Sequence, residues 1–362
     1  MTTQRILVVG GSLVGLSVAL AASKKGGHVT VFEKSSGHQV LGGGLGINVP
    51  LLQRVTGSSS APPVCTGPDR DTTAWHLLRD WLTSQCLGIP GLQVISGAEV
   101  ADIAADAQGA CVTTIDGRQW AGDVVVGADG VYSLVRRFVE DAPPTARYAG
   151  YILWRALVRE EDLAGTTELP GLHEPSREHF SEHYRLVTYL VPGQTGDTRV
   201  GHRRLNLVWY DPAREFLLRS HGLLDSDSVL GSLGASELPS EVSQELIIKA
   251  EHAWPPPWNS ALRFALDHHL VYGTPVAEYL PKRLVSGRIA LAGDAAHAAT
   301  PMVGGGFRMG LLDAAQLANS LLSTPDIQSN LRGYERSRLG PAIEHVRRSL
   351  RSSRTYLRGS LV

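Results

Sequence analysis

Cysteine is scarce in this chain: Cys65, Cys86 and Cys111 are the three present among 362 residues, widely spaced and without a C-x-x-C pair. That argues against a disulfide framework or a zinc site and fits a reducing cytoplasm. An excess of either charge is also missing, since 34 Lys and Arg face 35 Asp and Glu. Neither a nucleic acid nor a membrane surface is therefore implied as a partner. Beyond the N-terminal stretch no segment is long and apolar enough to span a bilayer, and no internal repeat is visible. What the chain does have is 43% hydrophobic residues and 39 glycines. That is the make-up of a soluble α/β protein rich in tight turns, long enough for two domains or for one with a large insertion.

Residues 5–34, RILVVGGSLVGLSVALAASKKGGHVTVFEK, organise the rest. Residues 6–9 are apolar and largely β-branched, the pattern of a buried parallel strand. Gly10, Ser12 and Gly15 make a tight turn, residues 16–25 carry helical spacing, Gly26-Gly27 stops the helix, and residues 29–32 read as a second strand ending in Glu33. Glycine at position 10 allows the sharp turn, and Gly15 lets the helix pack close to the sheet. The helix N-terminus offers free N–H groups and a partial positive charge to a pyrophosphate. Glu33 can accept the hydroxyl hydrogens of an adenosine ribose and would repel a 2′-phosphate, so FAD or NAD is expected rather than NADP. Leu13 and Val14 inside the turn and Lys34 beside the acid join the candidate cofactor residues. One departure from G-x-G-x-x-G is Ser12 at the middle glycine; its backbone can still approach a phosphate, and its hydroxyl can donate to one. A secretory signal peptide is the competing reading of this apolar stretch, but only Arg5 precedes it as a charge and the glycines follow a nucleotide-turn pattern. A merely structural βαβ unit is the other.

Residues 41–47, LGGGLGI, suggest backbone passing close to something flat such as a flavin, with Gly44 as a candidate contact; a flexible loop reads equally well. Residues 56–72 are expected to be loop, residues 74–87 an amphipathic helix, and residues 92–95 and 100–103 short strands. Residues 111–115 and 118–120 flank Asp116-Gly117 and make a hairpin. In DVVVGADGVYSLVR, residues 123–136, a buried strand delivers Asp129-Gly130 onto a turn, and a helix opens with Ser133 and carries Arg136. Residues 148–158, 179–191 and 200–210 then alternate with period two, so an antiparallel sheet is expected. Its last strand turns Asn206, Val208 and Tyr210 to one face and Leu205, Leu207 and Trp209 to the other. Residues 211–259 look partly helical and end in the rigid Trp-Pro-Pro-Pro-Trp of residues 254–258. The first pattern returns at residues 287–297, GRIALAGDAAH, where a strand again delivers Gly293-Asp294. Pro301 and Gly304-Gly305-Gly306 follow, ahead of a helix over residues 311–322. Glycines before a helix make an anion or carbonyl site from backbone N–H groups. Residues 333–358 read as a basic terminal helix on a solvated surface or a dimer contact.

Three motifs thus stand in order: the glycine turn with Glu33, Asp129-Gly130, and Gly293-Asp294 with Pro301 and Gly304. Together they resemble the FAD-dependent (group A) aromatic hydroxylases of the para-hydroxybenzoate hydroxylase fold, over nearly the whole chain. Within that family, residues 148–155 and 204–210 look most like the 2,6-dihydroxypyridine 3-hydroxylase branch. The resemblance implies an α/β protein in which a Rossmann-like FAD-binding domain, residues 1–146 and 271–330, carries an inserted antiparallel-sheet substrate domain, residues 147–270, and a C-terminal helix, residues 331–362. It implies that Gly10, Ser12, Gly15 and Glu33 hold the ADP half of FAD and that Asp294, after Gly293, binds the ribityl hydroxyls. Asp129-Gly130 would touch the pyrophosphate side and the transient NAD(P)H. Pro301 and the backbone of Gly304, Gly305, Gly306 and Phe307 would line the isoalloxazine.

The activity implied is NAD(P)H- and O2-dependent hydroxylation of a hydroxylated aromatic or N-heteroaromatic ring through a flavin C4a-hydroperoxide, by a cytoplasmic monomer or homodimer. His183, His202, Tyr189 and Tyr210 are candidates to help ionise the substrate. The family often carries Gly-Gln-Gly where this chain has three glycines, and small or amide residues in place of Phe307 and Arg308. Arg308 is expected to face an anionic substrate group or the reduced flavin, the alternative being a solvent-facing Arg. Two other functions stay open: an FAD-dependent oxidase or epoxidase of a non-aromatic metabolite, and a non-catalytic dinucleotide-binding protein.

Overall fold

The structure is a computed structural model that describes residues 4–37, 42–67, 70–140, 145–163, 177–181 and 183–359; Leu41 of the glycine run and residues 68–69 of the expected loop lie outside them. In chain order the elements are β1 (Arg5–Val9), α1 (Leu13–Ser23), β2 (His28–Glu33), β3 (Gly44–Ile47), α2 (Val49–Thr56), β4 (Asp71–Ala74), α3 (Trp75–Cys86), β5 (Leu92–Ser96), β6 (Val100–Ala105), β7 (Ala110–Thr114), β8 (Gln119–Gly122) and β9 (Val124–Gly127). Next come β10 (Arg147–Arg159), α4 (Glu160–Leu163), β11 (Arg177–Ser181), β12 (Tyr184–Val191), β13 (Arg204–Asp211), α5 (Glu215–Ser220), β14 (Leu224–Asp225), β15 (Ser228–Val229), α6 (Ser240–Ala253), α7 (Trp258–Asp267) and β16 (Tyr272–Glu278). The chain closes with β17 (Val285–Ser286), β18 (Ile289–Leu291), α8 (Asp294–His297), α9 (Gly306–Leu321) and α10 (Ile327–Leu357).

Six strands form the first sheet in the order β17-β18-β9-β1-β2-β5, parallel apart from β17. Its strands are continuous apolar runs because both faces are covered: Ile6, Val8, Val31 and Val125 are all buried. Seven strands form the second sheet, β11-β12-β13-β10-β15-β14 with β16 also on β10. Here period-two alternation separates two environments. Trp154, Leu207 and Trp209 join Leu246, Trp254, Trp258 and Leu262 from α6 and α7 in an apolar core. Tyr151, Leu153, Val208 and Tyr210 face the other way.

The structure departs from expectation at four places. The glycine run forms β3, paired with β4. Residues 179–191 divide into the hairpin β11-β12. The substrate sheet extends to β16, past residue 270, so the boundary at 270/271 cuts inside it. The terminal helix is not a surface decoration: Tyr334, Ala342, Val346 and Ser349 of α10 are fully buried, and the Tyr334 hydroxyl donates to the Leu291 carbonyl at 2.7 Å. α10 packs on α8, α9, β10 and β16 and so ties the two sheets together.

Candidate functional site

The parallel sheet delivers three turns at its carboxyl edge, where open α/β sheets bind ligands. At the first, Gly10 has φ of 104°, and a Cβ on it would lie 2.4 Å from the Ala128 carbonyl oxygen. A Cβ on Gly15 would lie 1.8 Å from the Gly10 carbonyl oxygen, so only glycine lets α1 approach the turn. Ser12 is the N-cap of α1, but its hydroxyl caps nothing and the first turn holds no acid. The orphan N–H groups of that turn are left for a ligand anion. Glu33 accepts hydrogen bonds from the N–H of Gly11 at 2.8 Å and of Ser35 at 2.9 Å, which pins its carboxylate beside the turn. Gly11 was not singled out from the sequence, although the Gly10-Gly11 pair was visible there. The Leu13 side chain turns into the core and Val14 packs under Gly293 and Gly310, which leaves both only backbone for a cofactor. Lys34 is exposed beside Glu33.

The second and third turns are clamped to each other. Asp129 accepts from the Ser133 hydroxyl at 2.6 Å and from the N–H of Leu134 at 2.7 Å and Val135 at 3.1 Å. Its carboxylate is thus occupied within its own turn, and any ligand contact there falls to the Gly130 backbone, at φ of 79°. Arg136 is buried, with its guanidinium 4.1 Å from the Tyr279 ring centroid, and donates to the carbonyls of Val131, Asp294 and Ala295. It joins the Asp129 turn to the Asp294 turn. Beneath the latter, Asp313 accepts from Gly293 N–H at 3.0 Å, His297 Nε2 at 2.6 Å and Arg338 Nε at 2.7 Å. Burial opposes a charged imidazole, but the Asp313 carboxylate outweighs it and raises the His297 pKa. Asp294 itself opens into the cavity described next, and among the described residues nothing hydrogen-bonds its carboxylate.

That cavity, about 770 Å³, lies between the two sheets. One wall is β3 with the start of α2; another is the segment from Thr300 to Arg308; the third is the inward face of β10 to β13. Pro301, Gly304, Gly305, Gly306, Phe307, Arg308, Gly44 and Tyr210 all line it. A Cβ on Gly304, Gly305 or Gly306 would meet nothing within 4 Å. No protein packing demands glycine there, although Gly304 and Gly305 hold φ of 60° and 76°, and α9 starts without a side-chain cap or an acid in its first turn. In contrast, Gly42 and Gly44 are crowded by protein rings: their Cβ atoms would lie 2.7 Å from Trp75 and 2.6 Å from Tyr189.

The sheet wall carries groups the sequence did not single out. Arg185 pairs with Glu178 at 2.8 Å, and its guanidinium lies 5.0 Å from the Tyr210 ring centroid. Arg70 stands 5.8 Å from the centroid of Tyr189, whose pKa burial pushes up to about 12. Burial raises Tyr210 as well. Both phenols are neutral at physiological pH. Arg155 reaches the same space from β10. His345 of α10 also borders the cavity, and burial pushes its pKa down to about 4, so it is neutral.

His183 does not reach the site: it is an exposed turn residue beside β12 whose carbonyl accepts from Tyr356. His202 is likewise on an exposed turn. Alternation could have found Arg155 and Arg185, which share the inward face with Tyr189 and Tyr210. Nothing local marks Asp313, Arg338 or His345.

Two helix N-termini with open N–H groups, an acid pinned beside the first turn, an unpartnered carboxylate and a glycine segment beside a cavity fit an extended flavin dinucleotide with its ring end at the cavity. The chain matches two protein families, described as FAD binding domain-like over residues 148–249 and as FAD binding domain over residues 266–349. It is 27% identical, over 93% of its length and 88% of the relative's, to 2,6-dihydroxypyridine 3-monooxygenase of Paenarthrobacter nicotinovorans. The solved 2,6-dihydroxypyridine-3-hydroxylase of Arthrobacter nicotinovorans superimposes with a TM-score of 0.81 at 22% identity, over 100% of this chain and 94% of that one. A Klebsiella pneumoniae structure holding FAD and uric acid has a TM-score of 0.74 at 24% identity, over 98% and 88%. The chain belongs to the FAD-dependent (group A) aromatic hydroxylase family.

Proposed function

We propose that this enzyme uses NAD(P)H and O2 to hydroxylate a small, already hydroxylated aromatic or N-heteroaromatic ring. The observation that carries this reading is the cavity itself, where a wall of neutral phenols and arginines on one sheet faces the N-terminus of α9. When bound, FAD supplies electron transfer from the nicotinamide and activation of dioxygen. Gly10, Ser12, Gly15 and Glu33 would hold its ADP half, the Asp294 carboxylate its ribityl hydroxyls, and Gly304, Gly305 and Gly306 its ring edge. The N–H dipoles of α9 are fixed in place and favour negative charge at that edge without reorganisation. Arg155 and Arg185 favour the ionised form of a ring hydroxyl, the form richest in electrons, and Tyr189 and Tyr210 orient it. Pro301 would stand at the rim of the same cavity, beside Thr300. The named substrates of the relatives, 2,6-dihydroxypyridine and urate, are both small oxygenated N-heterocycles.

The test is NAD(P)H oxidation by the FAD-loaded protein with hydroxypyridines, urate and phenols. Oxidation that rises on adding one of these rings, with a hydroxylated product in proportion to NAD(P)H consumed, is expected. Oxidation that no ring stimulates sinks the hydroxylase reading, and oxidation without oxygen insertion points to an oxidase.

A further inference from the structure

Behind the Thr300 to Pro301 edge of the cavity lies a buried acid with no role so far. Glu278 of β16 accepts from the hydroxyl of Ser349 and lies 2.9 Å from the hydroxyl oxygen of Ser353, both on α10. The Ser353 oxygen lies 3.0 Å from the Tyr151 hydroxyl, which donates to Thr300 Oγ1 at 2.6 Å. Thr300 lines the cavity, and its N–H donates to Ser349 Oγ at 2.7 Å. Glu278, Ser349, Ser353, Tyr151 and Thr300 are all buried, so water does not interrupt the series.

We propose that Glu278, Ser353, Tyr151 and Thr300 form a hydroxyl chain that carries a proton between Glu278 and a ligand oxygen at the cavity wall. Hydrogen count supports this. The Tyr151 hydrogen goes to Thr300, so the Tyr151 oxygen must accept from Ser353. Ser353 has one hydrogen and cannot also satisfy a carboxylate. The bonds close when Glu278 is the acid and donates to Ser353, and burial raises its pKa accordingly. The charge of Arg354 on α10 pulls the other way.

In the forward direction the Glu278 O–H bond breaks, Ser353, Tyr151 and Thr300 each accept one proton and pass on another, and a ligand oxyanion gains one. In reverse, a ring hydroxyl loses its proton and the Glu278 carboxylate takes it up. No electrons move. Glu278 is thus a positioning residue that acts through Thr300, and its use in turnover rests on the monooxygenase reading above.

The chain is tested first without substrate. Infrared difference spectra between the FAD-loaded wild type and its Glu278→Gln variant at neutral pH should contain a carboxylic C=O band that belongs to wild type and that Tyr151→Phe shifts. A wild-type spectrum with no such band overturns the proposal. The cavity end is read with 2,6-dihydroxypyridine, whose ultraviolet spectrum reports its ionisation when bound. Tyr151→Phe, Ser353→Ala and Glu278→Gln should each shift that ionisation along the pH axis and slow stimulated turnover about a hundredfold, whereas Ser353→Thr, which keeps the hydroxyl, restores both. Variants that merely lose thermal stability, with probe ionisation unmoved, show a purely structural network and overturn it. If the probe does not bind wild type, the substrate reading fails for that ring, while the infrared band still decides the chain.

Discussion

Alanine at Gly10 would place its Cβ 2.4 Å from the Ala128 carbonyl and would have to hold φ at 104°. Either β9 shifts or the turn opens, so Gly10→Ala should cost roughly 1–3 kcal/mol and release FAD, measured by urea unfolding and by flavin fluorescence after filtration. Arg308 lies on the cavity edge, exposed and in no ion pair among the described residues. Arg308→Ala should weaken binding of an anionic ring about tenfold, the worth of one charge-assisted hydrogen bond; unchanged affinity and unchanged flavin reduction would remove its role. The buried His297–Asp313 pair sets a pH dependence. The folded His297 pKa is raised above 6.5, so the pair's stabilisation is complete below about pH 6.5 and is lost as pH rises through the raised value. Burial opposes the Asp313 charge, yet His297, Arg338 and Gly293 N–H lower its pKa, so on the acid side stabilisation is lost only as pH falls through that depressed value. Unfolding free energy should therefore decline on the alkaline side in wild type and stay flat there in His297→Gln. Glu33, Asp294 and Gly10 were legible because each sits at a fixed offset within a strand-turn-helix. Asp313, Arg136 and His345 were not, because their partners lie far away along the chain and no local pattern ties them.

Among the elements, β10, β12 and β13 announce themselves by alternation, since one face meets an apolar core and the other a polar cavity. α10 hides its role. Its outer face carries Arg332, Arg336, Arg347, Arg351 and Arg354, while its inner face uses Ala342, Ser349 and Ser353 where an apolar stripe would be expected. Small and hydroxyl side chains let the helix lie close to β10 and β16 and satisfy the buried Glu278, so the composition reads as surface although the helix is interior. Leu331→Ala discriminates: its side chain is fully buried, and its loss should cost about 2–5 kcal/mol. A decoration would lose under about 0.5 kcal/mol, and thermal or urea unfolding measures the difference. The glycine run was misjudged for a related reason, because rings that crowd it come from Trp75 and Tyr189, distant in sequence.

At the scale of the whole molecule the cavity lies at the junction of the two large sheets, so FAD would need groups from both to be in place at once. FAD at about a hundred times its Kd should raise unfolding free energy by about 2.7 kcal/mol, seen as a melting temperature that climbs with added cofactor. The nested arrangement was legible from the return of the strand-Gly-Asp pattern at Gly293; the boundary was not, because β16 pairs with β10 far upstream. A last consequence concerns synthesis. The turn at Gly10 precedes the Thr300 edge, α9 and α10 along the chain, so a ribosome releases it well before them. A nascent chain can fold its first strands before the ring pocket exists, and flavin capture should follow the emergence of α10 rather than that of the Gly10 turn.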